Sequence, residues 1–320
     1  MNGANNDEQD RMRWVAASTT EAINPRTAEI DRMPAADIVS LILSEDAAVV
    51  PAVAAETEAI ARLAEIAAGR LRMGGRLIYV GAGTSGRLGA LDAAELPPTF
   101  RANPEQVVAL VAGGPRALTH AIEGAEDDAR AGRADIARLD VGPGDVVLGI
   151  AASGRTPYVL GATEEAKARG AFVAGLACTR PSALAEVVDL MIAPVVGPEV
   201  ISGSTRMKAG TAQKLALNTL STTIMVRLGK TYGNLMVDVQ PTNEKLRHRA
   251  ARLVATATGV EPDEAWRLLA AAGNEPKTAI VMALASVGAQ EARRRLTAAG
   301  GFVRLALTDE TDPTGADDAT

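Results

Sequence analysis

Five short apolar runs alternate with stretches of helical periodicity through the middle of the chain, and this alternation constrains the fold more than any other feature. The runs are Leu77–Val80, Gln106–Ala112, Asp145–Ala152, Phe172–Cys178 and Leu190–Ala193. Helical patterns fall between them, at about Leu88–Ala94, Leu118–Ala131, Pro157–Arg169 and Ser182–Val187. Strands this short and this apolar, each followed by a helix, are buried on both faces and paired in parallel. The expected architecture is therefore α/β, a doubly wound parallel sheet of five strands. Composition agrees: 47% of the 320 residues are apolar but only 2% are aromatic. A core of Ala, Val, Leu and Ile packs closely between a sheet and its helices.

The flanking segments read differently. Residues 1–50 are expected to form an arm with a short helix at Ala35–Leu43. Asp46–Arg72 has the pattern of one long Ala-rich amphipathic helix, stopped by Gly74-Gly75. The sheet domain is expected over 51–245; within it Ser202–Thr211 leads into a long apolar helix reaching about Leu228. The chain turns near Gly233-Asn234, and Pro241-Thr-Asn-Glu-Lys245 opens another helix. Residues 246–305 are expected to be a small helical domain, with Gly273-Asn274 and Gly300-Gly301 closing helices. An acidic tail, 306–320, has nothing apolar to bury and is expected to be disordered.

Several classes of function are disfavoured. Net charge is −6 with no basic block, and there are few aromatics to stack bases on, so no nucleic-acid partner is expected. One cysteine, Cys178 inside an apolar run, rules out a disulfide within the chain and fits a reducing compartment. Two histidines and one cysteine supply a transition-metal site poorly, and neither a metal nor another cofactor is expected. Met1–Arg13 has no hydrophobic core of a signal peptide, and no uncharged apolar stretch of about 18 residues is present. A cytoplasmic protein with no membrane partner is the expectation.

In open α/β sheets ligands sit beyond the carboxyl ends of the strands, so the loops there hold the candidates. The first is Gly81-Ala-Gly-Thr-Ser-Gly-Arg87, after the first strand. Its glycines let backbone N–H groups converge, Thr84 and Ser85 add hydroxyls, and the positive end of the next helix points to the same spot. Gly83, Thr84 and Ser85 are the candidate anion ligands. It is not a P-loop, because no Gly-Lys-Ser/Thr follows, and its match to G-x-G-x-x-G alone is weak. The loop after the third strand, Ala151-Ala-Ser-Gly-Arg-Thr-Pro157, offers Ser153, Arg155 and Thr156, with Pro157 where its missing donor costs nothing. A third hydroxyl-rich helix start, Ser202–Thr211, carries Ser204, Arg206 and Lys208. Lysine is scarce, six against twenty-seven arginines, yet four of the six lie between Lys208 and Lys245. Three such helix starts point to a phosphorylated, hydroxylated small molecule.

Glu95, just before Pro97-Pro98, and Glu126, beyond the second strand, are placed to reach a ligand held at the first loop. Two carboxylates near one sugar can remove and donate protons without a metal, provided their environments push the two pKa values apart. At the level of spacing Asp92, Glu123, Asp127 and Asp128 compete equally.

Taken together, Leu77–Gly89, Asp92–Thr99, Glu123–Asp127, Gly149–Tyr158, Gly203–Lys214, Gly233–Val239 and Thr242–Lys245 resemble the N-acetylmuramic acid 6-phosphate etherase family. The resemblance runs in order from about Thr20 to Leu305. It implies a sugar-isomerase (SIS) fold with a small helical C-terminal region. It also implies cleavage of the D-lactyl ether of N-acetylmuramic acid 6-phosphate to N-acetylglucosamine 6-phosphate and D-lactate, in cell-wall recycling. By that resemblance Glu95 falls on the family's catalytic acid and Glu126 on its second catalytic carboxylate. A homodimer with its site near the subunit interface is expected, with Lys208 or Arg206 assisting from the neighbouring subunit. One departure is Leu96, where some members have cysteine; this alters packing beside the acid rather than the chemistry. The rival readings are a non-catalytic sugar-phosphate regulator of the glucokinase-regulatory type and an SIS aldose–ketose isomerase. A dinucleotide dehydrogenase would need an acidic residue near Val111, where the chain reads Ala112-Gly-Gly114.

Overall fold

The computed structural model describes residues 19–239 and 244–308. The arm before residue 19, Thr242-Asn243 of the last motif and the acidic tail from 309 lie outside the described residues. The chain divides into two compact units, one formed by 1–94 and 104–223, the other by 95–103 and 224–320.

The first unit is built on strands β1 (Leu77–Gly81), β2 (Val107–Val111), β3 (Val146–Ile150), β4 (Phe172–Leu176) and β5 (Leu190–Ile192). They form one parallel sheet, as the apolar runs predict, and its order is β2-β1-β3-β4-β5. β1 is flanked by β2 on one side and β3 on the other, with Leu77 in register with both Val107 and Val146. The winding direction reverses at β1, which leaves a crevice at the carboxyl ends of β1 and β3. Ile78, Val80, Val147, Tyr158, Val159 and Val173 pack the core, each fully buried or nearly so. At the opposite, amino end of the sheet Arg76 and Asp145 tie β1 to β3. Asp145 Oδ1 accepts from the Arg76 backbone N–H and Nε at 3.0 Å each, and Oδ2 pairs with Arg76 Nη2 at 2.6 Å.

The helices before β1 differ from the single long helix expected over 46–72. They are α1 (Ala35–Asp46), α2 (Val49–Ala54) and α3 (Thr57–Arg72). Pro51 has no N–H for the Ala47 carbonyl and its ring would crowd that carbonyl, so the chain breaks at Ala47-Ala48. A second break leaves the Glu56 carboxylate to accept from the Ala193 N–H at 3.0 Å. A continuous helix over Leu118–Ala131 is also not formed. Gly124, at φ +71°, interrupts it, and only α5 (Ala129–Arg138) is regular, capped by Asp128 Oδ1 at 3.0 and 2.9 Å from the Arg130 and Ala131 N–H groups.

Helix α4 (Gly83–Phe100) begins five residues earlier than its apolar pattern implies and runs through Pro97-Pro98. The two prolines remove only the bonds to the Ala93 and Ala94 carbonyls, and beyond them the Arg101 N–H donates to the Pro97 carbonyl at 3.0 Å. After α6 (Pro157–Ala168) and α7 (Ala183–Val187) comes the long α8 (Lys208–Arg227). In the second unit a two-residue hairpin of β6 (Thr231–Tyr232) and β7 (Leu235–Met236) precedes α9 (Glu244–Thr258), α10 (Pro262–Ala271), α11 (Pro276–Ala285), α12 (Ala289–Ala298) and α13 (Val303–Leu307). Val237, Ala250, Val254, Leu269, Ile280 and Val303 are its core. Among the described residues no single helix is long and apolar enough to cross a membrane.

Candidate active site

The crevice at the carboxyl ends of β1 and β3 is a cavity of about 520 Å³. Its first wall is the start of α4. Gly81 ends β1 directly against Gly86: a Cβ on Gly81 would lie 2.6 Å from the Gly86 nitrogen, and one on Gly86 2.7 Å from the Gly81 oxygen. Only glycine at both positions lets the helix begin so close to the strand. Gly83, at φ +52°, opens the first turn, and the first α-helical bond runs from the Gly86 N–H to the Ala82 carbonyl at 3.1 Å. The N–H groups of Gly83, Thr84 and Ser85 therefore have no helical acceptor and carry the positive end of the helix dipole. Gly83, Thr84 and Ser85 all line the cavity.

The second wall is the loop from β3 to α6, contributing Ala152, Ser153, Arg155, Thr156 and Pro157. Thr156 precedes Pro157 at the helix start, and its hydroxyl makes no capping bond. The third wall is the turn beyond β2. Arg87 on α4 braces this segment, donating to the Ala117 and His120 carbonyls at 2.9 and 3.0 Å. A short 3₁₀ turn, Ala125–Asp127, then presents Glu126 and Asp127 at the cavity. Glu21 and Thr205 complete the lining.

The structure thus brings together Gly83, Thr84, Ser85, Ser153, Arg155, Thr156 and Glu126. It sets three of the competing carboxylates apart and leaves Asp127 beside Glu126 at the cavity. Asp128 is spent on capping α5, and Glu123 is exposed and does not line the cavity. Asp92 is buried and holds α4 to β1 and α8. It accepts from Tyr79 Oη at 2.9 Å, Asn218 Nδ2 at 2.6 Å and Ser221 Oγ at 3.0 Å. Burial raises its pKa, against those three donors. Glu95, three residues on along the same helix, belongs to the second unit, is exposed and is not among the lining residues.

The third hydroxyl-rich helix start is organised otherwise. The start of α8 already holds an anion of the protein. The buried Glu199 carboxylate accepts from the Lys208 and Ala209 N–H groups at 3.0 and 2.9 Å. Lys208, 2% exposed, turns its ammonium onto Glu45 Oε2 at 2.9 Å. Burial would raise the Glu45 pKa, but the hydrogen bonds from Lys208 and Asn24 outweigh it and hold it low. Neither Lys208 nor Ser204 lines the cavity, whereas Thr205 does. Among the described residues no cluster of His, Cys, Asp and Glu is arranged to hold a metal ion. The arrangement can hold an anion at two helix starts and offer a carboxylate to what the anion carries.

A family profile for the glucokinase regulatory protein N-terminal SIS domain matches residues 58–167, the span carrying these walls. The likeness to individual proteins is longer. N-acetylmuramic acid 6-phosphate etherase of Cutibacterium acnes is 53% identical over 91% of this chain and 96% of the relative. The enzyme of that name from Streptomyces coelicolor is 54% identical over 90% of this chain and 93% of the relative, and that from Serratia proteamaculans 52% over 92% and 99%. The chain belongs to the N-acetylmuramic acid 6-phosphate etherase family.

In this etherase-family chain, sequence reasoning missed Glu21, Glu199 and Thr205. Glu21 carries no local motif. It reaches the cavity because the N-terminal segment is tied across the fold, by Ser202 Oγ to the Glu21 carbonyl at 3.2 Å and Thr27 Oγ1 to the Val200 carbonyl at 2.8 Å. Glu199 could have been found as a carboxylate nine residues before a helix that lacks a cap of its own. Thr205 lay within the quoted motif, one position from the residue chosen.

Proposed function

We propose that this protein cleaves the D-lactyl ether of N-acetylmuramic acid 6-phosphate, giving N-acetylglucosamine 6-phosphate and D-lactate. The observation that carries the reading is identity above 50% with etherases across nearly the whole of both chains. The cavity supports it with the chemistry this substrate asks for. Its phosphate would be held by the N–H groups of Gly83, Thr84 and Ser85, with the hydroxyls of Thr84, Ser85, Ser153 and Thr156 and the Arg155 guanidinium.

An alkoxide leaves an ether badly, so direct hydrolysis is slow. In the open-chain aldehyde the C2 proton is acidified by the neighbouring carbonyl. Glu126 removes that proton and the C3–O bond breaks; Glu95, assigned by the family resemblance and outside the cavity lining of a single chain, protonates the departing lactate oxygen. Water then adds across the unsaturated aldehyde: its hydroxyl bonds to C3, Glu95 takes its second proton, and C2 is protonated again. The phosphate, remote from the reacting carbons, contributes binding energy that positions C2 and C3.

The proposal places the enzyme in the cytoplasm, in recycling of peptidoglycan amino sugars, as a homodimer with its site near the subunit interface. A sedimentation-equilibrium mass of one chain would remove the dimer from this reading. The test of the reaction is incubation of the purified protein with N-acetylmuramic acid 6-phosphate. D-lactate and N-acetylglucosamine 6-phosphate are expected in equal amounts. An intact ether with isomerised sugar would favour an aldose–ketose isomerase. Binding without turnover would favour a regulator, the class whose SIS domain the 58–167 profile describes.

A further inference from the structure

Behind the phosphate cradle lies a buried amide whose orientation matters to it. Ser85 lines the cavity, yet its Oγ–H donates away from it, to Gln213 Oε1 at 2.9 Å. Gln213, on α8, is 1% exposed, and its Nε2 is buried with no hydrogen-bond partner among the described residues. As it stands, Ser85 has given its only proton to Gln213 and can offer a phosphate nothing but lone pairs, which repel it. Gln213 meanwhile leaves two N–H donors unused, the costlier way to bury an amide.

Turning the amide end for end frees the Ser85 proton and gives Nε2 a partner, while Oε1 gives up the one it had. Nε2 would take the place of Oε1, 2.9 Å from Ser85 Oγ, and donate to it. The Ser85 proton would then be free to donate to an anion in the cavity. We propose that Gln213 is the residue that decides whether Ser85 can donate to bound phosphate, by turning its amide when the phosphate arrives. Gln213 touches no substrate; it positions the proton of a residue that does. The inference rests on the reading of the cavity as a sugar-phosphate site. It extends that reading by adding a selectivity for anions: an uncharged sugar gives the amide no reason to turn.

Binding of N-acetylglucosamine 6-phosphate, measured by calorimetry between about pH 5.5 and 8, tests it. The variants are Gln213→Glu and Gln213→Leu, each made with Ser85 intact and with Ser85→Ala. A carboxylate at 213 only accepts, so it holds the Ser85 proton permanently. Gln213→Glu is expected to weaken binding about 10–100-fold near pH 8, the worth of one hydrogen bond to a charged group. The ratio to wild type should shrink on acidification, as the introduced carboxyl takes up a proton and can donate again. The ratio, rather than the raw affinity, is read because the phosphate itself titrates near pH 6. Gln213→Leu, which leaves the Ser85 proton free, should bind within about 2–3-fold of wild type, and so should Gln213→Glu compared with Gln213 once Ser85 is alanine. Unphosphorylated N-acetylglucosamine should not distinguish the variants.

A loss that persists in the Ser85→Ala background, that does not change with pH, or that is as large for Gln213→Leu would overturn the inference. If Gln213→Glu does not fold, a loss in Gln213→Leu as large as that in Ser85→Ala still overturns the inference. Failure of the wild-type protein to bind the sugar phosphate would be a different result, striking the cradle reading itself.

Discussion

Glu126 and Glu95 carry different protons in the proposed reaction, and this makes them separable by experiment. Glu126→Gln should lower turnover about 10²–10⁴-fold, as expected for loss of a general base, and should stop exchange of the C2 hydrogen with solvent deuterium. Glu95→Gln should lower lactate release comparably while leaving C2 exchange in place. Proton NMR of the sugar in heavy water reads both. Exchange lost with Glu95 and kept with Glu126 would reverse the two assignments. At this scale sequence reading was uneven for a physical reason. Glu126 stands inside the matching block Glu123–Asp127, and the turn that presents it follows Gly124. Spacing could not choose it over Asp128 or Glu123, because capping of α5 and which carboxylate lines the cavity are settled by folding. Lys208 shows the opposite case: a cation at a hydroxyl-rich helix start looks like a phosphate ligand, but its partner, Glu45, lies 163 residues away in the chain.

The elements were legible where period and turn chemistry agreed. The five strands match their apolar runs to within one or two residues, since parallel strands buried on both faces need little beyond continuity. Helix boundaries were less so. The apolar pattern of α4 begins at Leu88, whereas its first turn is made of the glycines and hydroxyls that read as a loop. The Arg76–Asp145 clamp at the amino end of the sheet was invisible, because neither residue belongs to a motif. It gives a stability prediction. Burial alone would raise the Asp145 pKa, but the Arg76 hydrogen bonds, the Gly142 N–H and the Arg76 charge outweigh it and hold it below the usual range. A carboxylate whose folded pKa is depressed stabilises the fold above its unfolded value, near 3.9, and loses that contribution as pH falls through the folded value. Asp145→Asn should therefore cost about 2–3 kcal/mol near neutral pH, with the gap to wild type closing below about pH 4. Urea unfolding of both proteins across that range measures it; a gap that stays constant into acid would show that the charge is not what matters.

At the scale of the whole molecule, the five runs gave a parallel doubly wound sheet, while the order β2-β1-β3-β4-β5, which fixes where a ligand can sit, came from the structure. Composition disfavoured nucleic-acid readers without identifying a substrate. That step came from seven ordered motifs, and the full-length identity to etherases agrees with it. What neither motif nor composition could give was the division of labour inside the cavity, which depends on contacts such as Ser202 with Glu21 and Ser85 with Gln213. The central claim is a bond-breaking route: elimination of lactate from C3, then hydration. It is tested most directly by turnover of N-acetylmuramic acid 6-phosphate in ¹⁸O-water, with C1 reduced before mass spectrometry because the aldehyde exchanges its own oxygen. Elimination and hydration place the label at C3 of N-acetylglucosamine 6-phosphate and leave the lactate ether oxygen unlabelled. Label in the lactate would mean attack at the lactyl carbon, and the roles given to Glu95 and Glu126 would fall with it.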